Sequence, residues 1–367
     1  KKLSVFLGVK HLITVNSGSS ANLVAFSSLT SHLHKDRAIK PGDEVISVAA
    51  GFPTTVNPIF QNGAVPVFVD IKLPTYNIDE ELIEEAITKK TKAIMLAHTL
   101  GNPFNLNKIG EICKKYNLWL IEDNCDALGS KYNNQFTGTF GDVATLSFYP
   151  AHHITMGEGG AIFTNNSRIK RVSESFRDWG RDCYCEPGVE NTCKKRFEWQ
   201  LGKLPFGYDH KYIYSHIGFN MKITDMQAAC GLGQLENLEI FIEKRKTNVF
   251  FLKKQLTELQ DEIHLPEAEI NSDPSWFGFP ITIKKESKFR RTDLIKKLTE
   301  SKIGTRLLFS GNLTKQPAYL SKKFIVHGKL DTTDLIMNNT FWVGIQPAIG
   351  EEELSFIAQT IKEFFKK

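Results

Sequence analysis

Short apolar runs rich in β-branched residues recur along the first half of the chain, with helical patterns between them. The predicted strands are residues 12–16, 44–49, 65–71, 92–97, 118–123, 143–148 and 161–164. The clearest predicted helices are residues 19–32, 79–88 and 107–116. Continuous apolar strands are typical of a parallel sheet that is buried on both faces. The pattern therefore predicts an α/β fold with a large, doubly wound, mostly parallel sheet.

The pattern changes after this region. A loop-rich insertion is predicted at residues 179–215, followed by a long helix over residues 224–259. Strands at residues 277–283 and 341–345, with a helix at 351–365, predict a smaller α+β unit. A chain of 367 residues can bury a large core. We predict a large domain over residues 1–240 and a small C-terminal domain over residues 241–367.

Charge and hydropathy exclude several function classes. The net charge is +5, but basic residues stand beside acidic ones, as in residues 243–246, which indicates a solvated helix face rather than a nucleic-acid surface. No run of about eighteen apolar residues exists, so no membrane span is predicted. Lys10 and His11 interrupt the apolar start too early for a signal peptide. We expect a cytoplasmic protein with reduced thiols.

Polar residues follow several predicted strands, where ligands bind in such sheets. Gly18 and Ser19 open a helix whose N–H groups suit a phosphate, although a serine-rich helix cap has the same sequence. Ser147 ends a later strand and can add a hydroxyl to that phosphate. Asp123 ends another strand and can keep a pyridine nitrogen protonated, or it can cap a helix. Phe52 follows a strand as well, and from its position alone it can be a core residue beside a turn.

Residues 147–160 read SFYPAHHITMGEGG. This segment resembles the lysine signature of the DegT/DnrJ/EryC1/StrS family of nucleotide-sugar aminotransferases, with His152 at the lysine position. It is most similar to the 3-dehydratase branch of that family, and the resemblance covers nearly the whole chain. An imidazole can take and give protons, but it cannot form the imine through which a lysine holds the cofactor aldehyde. The competing interpretation is a glycine-rich turn with a buried histidine.

The resemblance implies a fold-type I, PLP-dependent aminotransferase-like fold that binds pyridoxamine phosphate (PMP) without a covalent link. It implies His152 as the catalytic base and acid, with His153 as its rival. It also implies a homodimer, and an N-terminal arm that this chain lacks, so that a chain starting at Lys1 is expected to be incomplete. The implied cofactor-binding residues are Gly18, Ser19, Phe52, Asp123, Asp126, Ser147 and, from the partner subunit, Asn220.

Four of the six cysteines, Cys125, Cys183, Cys185 and Cys193, are spaced Cys-x57-Cys-x-Cys-x7-Cys. Four thiolates can hold one metal centre, but this spacing fits neither a ferredoxin nor a zinc ribbon. An iron-sulfur cluster, structural zinc, disulfides and unrelated thiols all stay open from spacing alone. The resemblance implies a 2Fe-2S cluster, because branch members that act on CDP-4-keto-6-deoxyglucose hold one on cysteines at these positions.

The implied reaction is dehydration at C3 of a nucleotide-linked 4-keto-6-deoxyhexose in the biosynthesis of lipopolysaccharide dideoxysugars. The resemblance favours CDP-4-keto-6-deoxy-D-glucose over its dTDP counterpart as the substrate. A flavin and iron-sulfur reductase would supply electrons through the cluster. Arg306 is expected to contact the diphosphate or to form a surface ion pair. A polar loop with Tyr208, His210, Tyr212 and His216 is expected to line the sugar site. The alternatives are a PLP-dependent aminotransferase and a zinc-stabilised, non-catalytic member of the fold.

Overall fold

The computed structural model describes residues 1–185, 189 and 191–366, so residues 186–188 and 190 of the predicted insertion lie outside the described part. Its strands are β1 (His11–Val15), β2 (Glu44–Val48), β3 (Val65–Val69), β4 (Thr91–Ala97), β5 (Trp119–Asp123), β6 (Lys131–Tyr132), β7 (Gln135–Phe136), β8 (Val143–Ser147), β9 (Gly160–Thr164), β10 (Ile263–His264), β11 (Ser272–Asp273), β12 (Gly278–Ile283), β13 (Thr305–Leu307), β14 (Ile325–Val326) and β15 (Thr340–Gly344).

The α-helices are α1 (Lys2–Leu7), α2 (Gly18–Leu29), α3 (Pro53–Gln61), α4 (Ile83–Ala86), α5 (Leu106–Tyr116), α6 (Ser167–Arg177), α7 (Asp225–Leu235), α8 (Leu238–Leu256), α9 (Arg291–Glu300), α10 (Asp331–Asn339) and α11 (Glu351–Phe365). Every strand expected from the apolar runs is present, with bounds that agree to within two residues. The predicted helix over residues 351–365 is confirmed at both ends.

In the described part of the chain, the main sheet has eight strands in the order β1-β9-β8-β5-β4-β2-β3-β14. All neighbours from β8 to β14 are parallel, whereas β9 is antiparallel to both β8 and β1. The predicted mostly parallel sheet is confirmed. Because β9 returns beside β8, the segment that joins them, with His152 in it, stays at the carboxyl end of the sheet.

Alternate residues of the central strands feed two different hydrophobic cores. Val45 packs on one face with α2 and α3, and its neighbour Ile46 packs on the other face with α5. Trp119 and Leu120 divide in the same way. Since both faces are covered, both sets of side chains must be apolar, which explains the continuous runs in the sequence.

The long helix predicted over residues 224–259 is in fact two helices, α7 and α8, separated at residues 236–237. Thr224 and Gln227 form a capping box at the start of α7, none of whose residues is buried. Helix α8 instead buries Leu238, Ile242 and further residues along one face. The helix predicted over residues 79–88 is also shorter, since only the single turn of α4 is α-helical there.

A second sheet, in the order β10-β12-β15-β13, packs with α8, α9 and α11 around its own core. The predicted domain boundary after residue 240 falls inside α8 and stays a prediction. Strand β14, which lies beyond that boundary, pairs with β3 of the main sheet. Among the described helices, none combines the length and the apolar character that a membrane crossing requires.

Candidate functional site

A cavity of about 1120 Å³ lies at the carboxyl edge of the main sheet. Several strands contribute residues at or just beyond their carboxyl ends: Gly18 after β1, Phe52 after β2, Asp123 at the end of β5 and Ser147 at the end of β8. Arg306 and Trp342 of the second sheet close the cavity on the opposite side. This is the position where ligands bind in open α/β sheets.

Gly18, Ser19 and Ser147 come together at one end of this cavity. The hydroxyl of Ser17 caps α2 by accepting from the N–H of Ser20 at 3.0 Å. A Cβ added to Gly18 would lie 2.5 Å from the Cβ of Ser147, so only glycine permits this approach. The start of a long helix beside a serine hydroxyl is an anion site, which fits the phosphate of the predicted cofactor.

We expect Gly18→Ala to weaken PMP binding by roughly tenfold, or about 1.4 kcal/mol, because the new methyl group pushes Ser147 away from the phosphate position. The affinity can be measured by titrating the purified protein with PMP and following its absorbance. Gly110→Ala in α5 is the matched control, since a Cβ there meets nothing within 4 Å. Equal affinities in the two variants would contradict a phosphate site at Gly18.

Asp123 is a buried carboxylate held by three donors. Its Oδ2 accepts from the side chains of Asn22 and Thr55, both at 2.7 Å. Its Oδ1 accepts from the N–H of Cys125 at 3.2 Å, while the nearby hydroxyl of Thr145 donates to Oδ1 of Asn22 at 2.7 Å. These bonds fix an anion that lines the cavity, which suits a carboxylate facing a protonated ring nitrogen.

His152 stands between Asp126 and Phe277. Its Nδ1 lies 3.5 Å from a carboxylate oxygen of Asp126, and its ring is 5.0 Å from the ring of Phe277. Nδ1 is buried and has no hydrogen-bond partner among the described residues, so Nε2 is the nitrogen left for a ligand. Burial lowers the pKa of His152 to about 4, against a raising effect of Asp123, and Arg245 lowers it further. The imidazole is therefore neutral at neutral pH and can accept a proton.

Asp126 also lines the cavity, as predicted for a residue near the cofactor. Burial, reinforced by the charge of Asp123, raises the pKa of Asp126 to about 8. The short distance to His152 is therefore a contact between a neutral acid and a neutral imidazole at neutral pH, rather than an ion pair. A neutral pair leaves Asp123 as the anion available to a cationic ring.

His153, the predicted rival of His152, is 2% exposed and does not line the cavity. Its Nε2 donates to the backbone carbonyl of Ser275 at 2.7 Å. A ring held in this way cannot reach a substrate in the cavity. The geometry thus favours His152 for the acid-base role.

Two further residues predicted for the cofactor lie in different places. Phe52 lines the cavity with half of its surface exposed, and its ring meets that of Phe309 edge-on at 5.8 Å. Asn220 is exposed outside the cavity, where its side-chain oxygen accepts from Lys222 at 2.7 Å. A single chain therefore assembles all of the predicted cofactor-binding residues except Asn220.

The four predicted cysteine ligands are not assembled in one chain. The Cys185 thiol interacts with the thiols of Cys183 and Cys193, and bonds from Thr192 and from this group lower the pKa of Cys185 to about 7. Cys125 instead lines the cofactor cavity, 3.9 Å from the Thr145 hydroxyl. Among residues 1–185, 189 and 191–366, no three His, Cys, Asp or Glu residues are arranged to hold a metal ion. Cys125 therefore lies at the end of β5 beside the cofactor cavity, whereas the other three cysteines lie in the segment after α6 and interact with one another.

The expected His and Tyr lining of the sugar site is also absent from this cavity within one chain, since none of the four residues borders it. His210 bonds Asp182 at 3.0 Å and stacks on Trp199. His216 lies between the hydroxyls of Ser31 and Ser175.

The sequence analysis missed Asn22 and Thr55, which hold Asp123, and also Arg245, which lies near His152. The charged residues 243–246 were interpreted as a solvated helix face, but Arg245 is only 2% exposed. It lies close enough to His152 to lower the pKa of that imidazole. The signal was available in the helical spacing: Ile242 and Val249, three and four residues away, are apolar and buried on the same face of α8.

A model of the DegT/DnrJ/EryC1/StrS aminotransferase family matches residues 1–362. The chain belongs to this family. It is 62% identical over 365 residues to the lipopolysaccharide biosynthesis protein RfbH of Salmonella typhimurium, covering 100% of this chain and 84% of that protein. It is 52% identical over 362 residues to dTDP-4-dehydro-2,6-dideoxy-D-glucose 3-dehydratase of Saccharopolyspora spinosa, and the match covers 99% of this chain and 78% of that protein.

Among solved structures, Escherichia coli GDP-4-keto-6-deoxy-D-mannose-3-dehydratase with bound hydrated PLP superposes on this family member with a TM-score of 0.86. The two chains are 30% identical, and the match covers 98% of this chain and 90% of the other. The predicted family and its 3-dehydratase branch are confirmed, as is the aminotransferase-like fold. The predictions that the protein is an enzyme and that its cofactor is of the PLP type are also confirmed.

Proposed function

We propose that this enzyme catalyses the PMP-dependent dehydration at C3 of a nucleotide-linked 4-keto-6-deoxyhexose, in the biosynthesis of 3,6-dideoxyhexoses. One observation carries the proposal: His152 borders the cavity, and none of the described residues that line it is a lysine. Without that amine the protein has no group for the covalent cofactor link that transamination uses.

The residues in the cavity fit PMP. Gly18, Ser19 and Ser147 would hold its phosphate, Phe52 its ring face and Asp123 its ring nitrogen. Bound PMP supplies an amine that condenses with the sugar ketone and a ring that withdraws electrons. His152, neutral at neutral pH, takes the proton from the C4′ carbon and gives a proton to the departing C3 hydroxyl.

The nucleotide is proposed to bind near Arg306. This side chain is exposed at the cavity, and its guanidinium donates to the backbone carbonyl of Thr305 at 2.8 Å. The alternative of a surface ion pair finds no support, since no acidic partner of Arg306 occurs in the described part of the chain. A guanidinium that forms no ion pair within the described part of the chain suits the oxygens of a diphosphate. We propose CDP-4-keto-6-deoxy-D-glucose as the substrate.

We also propose a homodimer in which the partner's Asn220 completes the phosphate site. Asn220 is exposed in its own chain, and the adjacent helix α7 has no buried residue. That helix exposes apolar side chains, including 81% of Met226 and 48% of Leu232. An apolar helix of this kind supports contact with a second copy.

Removal of an oxygen at C3 requires electrons, and a 2Fe-2S cluster charged by a flavin and iron-sulfur reductase stays our proposed source. Its support is the resemblance alone, because the cysteine spacing by itself leaves the type of centre open. The described arrangement of Cys125 apart from Cys183, Cys185 and Cys193 does not fit a four-thiolate centre. The roles assigned to His152 and Asp123 do not depend on the cluster.

The proposed function predicts that anaerobically purified protein, given PMP, CDP-4-keto-6-deoxy-D-glucose and dithionite, forms a 3-deoxy sugar nucleotide. Mass spectrometry of the nucleotide product distinguishes it from the amino sugar that an aminotransferase makes when L-glutamate is added. An amino sugar as the main product would contradict the proposal. Iron analysis and EPR of the same preparation test the cluster, and replacing any of the four proposed ligands with serine should remove its signal. Cys113→Ser is the control, because Cys113 is a free cysteine outside the proposed set. Finding zinc in place of iron would reject the cluster.

A further inference from the structure

The ring of Phe52 is not anchored in a hydrophobic core. Phe52 lies directly before α3 and lines the cavity at the carboxyl edge of the main sheet, with half of its surface exposed. Within the described ranges it belongs to none of the hydrophobic cores, and its one aromatic contact is with Phe309. The orientation of this ring in the cavity therefore depends on Phe309.

The two rings meet at an interplanar angle of 89°, with their centroids 5.8 Å apart. A perpendicular pair is favourable because the positive edge of one ring faces the negative face of the other. This arrangement leaves at least one face of Phe52 uncovered by Phe309. A flat ligand ring in the cavity can stack on that face.

Phe309 is itself held firmly by its surroundings. Its side chain is partly buried against the core on the α5 side of the main sheet, and it also lines the cavity. Its backbone has a φ of +50°, in the left-handed region that bulky side chains rarely adopt. Such a conformation persists only where the surrounding structure imposes it, and it is frequent at ligand sites.

Hydrogen bonds join the segment of Phe309 to the loop of Phe52. The backbone N–H of Ser310 donates to the carbonyl of Gly51 at 3.3 Å, and the Ser310 hydroxyl donates to the same oxygen. Both partners lie one residue away from a phenylalanine of the pair. These bonds therefore keep the two rings in register with each other.

We propose that Phe309 is a positioning residue for the cofactor, because it holds the ring of Phe52 in the orientation that stacks on the pyridine ring. This inference rests on the proposed function, which places the ring face of PMP against Phe52. Phe309 follows β13, the strand that carries Arg306. The segment proposed to bind the nucleotide would thus also orient the cofactor ring.

The test compares PMP with pyridoxamine, which lacks the phosphate. Each ligand is titrated into the cofactor-free protein, and its affinity is measured from its absorbance. Phe309→Leu removes the flat ring but keeps an apolar side chain, so both affinities should fall by the same factor. That factor should be roughly threefold to tenfold, as expected for the loss of an aromatic pair. The circular dichroism band of bound PMP should also weaken, because the pyridine ring is held less firmly.

Phe289→Leu is the matched control for this variant. Phe289 also makes an aromatic contact, with Phe364 at 5.2 Å, but it does not line the cavity. Phe309→Tyr keeps the ring and should retain the native affinities. If leucine disturbs folding, Phe309→Met is the second variant, because methionine adapts to the surrounding packing, and the same losses are expected.

A double-mutant cycle separates the positioning role from a purely structural one. In a Phe52→Leu protein, adding Phe309→Leu should cause no further loss of affinity for either ligand. Equal losses in both backgrounds, or native affinities in Phe309→Leu itself, would overturn the inference and leave the assignment of Phe52 intact. If Phe52→Leu alone bound PMP and pyridoxamine as tightly as the native protein, the ring contact in the proposed function would fail together with the inference.

Discussion

Replacing His152 with alanine is expected to slow loss of the C3 hydroxyl by roughly 10²–10⁴-fold, the usual contribution of a positioned general acid-base group. PMP binding should change little, because the residues proposed to hold the phosphate and the ring nitrogen do not contact this imidazole. The rate of substrate consumption and the PMP dissociation constant, measured on one preparation, separate the two effects. A variant that binds PMP and still turns over normally would reject His152 as the catalytic residue.

His153→Gln is the matched control for this variant. The amide of glutamine can still donate to the Ser275 carbonyl, so the local fold should survive. We expect the glutamine variant to retain most of the activity. If activity were lost there and retained in His152→Ala, the two histidines would exchange roles.

The pH dependence of the cofactor-free protein follows from the environment of His152. Burial lowers the pKa of this imidazole, so the proton-accepting form should persist on acidification and be lost only near pH 4, rather than near its ordinary value of 6.5. NMR titration of the ring measures this directly. Removing the nearby cation in Arg245→Met should move the midpoint upward, because Arg245 disfavours the protonated ring.

The main sheet was predictable because burial on both faces leaves a strong trace in sequence. Runs such as residues 65–71 and 118–123 have no polar face, and the structure buries both sides of β3 and β5. The split between α7 and α8 left no such trace. Local propensity favours helix on both sides of residues 236–237, and only the different tertiary surroundings of the two helices end one and begin the other.

The candidate site shows the same division. Residues that end strands, such as Asp123 and Ser147, were predictable because the carboxyl ends of parallel strands converge. The position of Cys125 relative to Cys183 was not, since spacing along the chain does not state which elements lie between two residues in space. Arg245 was wrongly predicted to be exposed because its neighbours in sequence are charged. The apolar residues Ile242 and Val249, which share its face of α8, were the better guide to its burial.

Asp123→Asn is expected to lower the rate of C3 dehydration by at least 100-fold, which corresponds to about 2.7 kcal/mol of transition-state stabilisation. The substitution conserves shape but removes the negative charge that would keep the ring nitrogen protonated. The asparagine oxygen can still accept from Asn22 and Thr55, while its NH₂ group faces the N–H of Cys125. One unsatisfied buried donor of this kind costs about 1–3 kcal/mol of stability, so the variant should fold with a lower melting temperature.

Thr55→Val separates the charge of Asp123 from its hydrogen bonds. It deletes one donor to Oδ2 and leaves the carboxylate and the Asn22 bond in place. If the charge matters most, Thr55→Val should lose much less activity than Asp123→Asn, although both lower the melting temperature. Equal losses of activity at equal losses of stability would instead make Asp123 a structural residue, and the assignment of the ring nitrogen to its carboxylate would then be wrong.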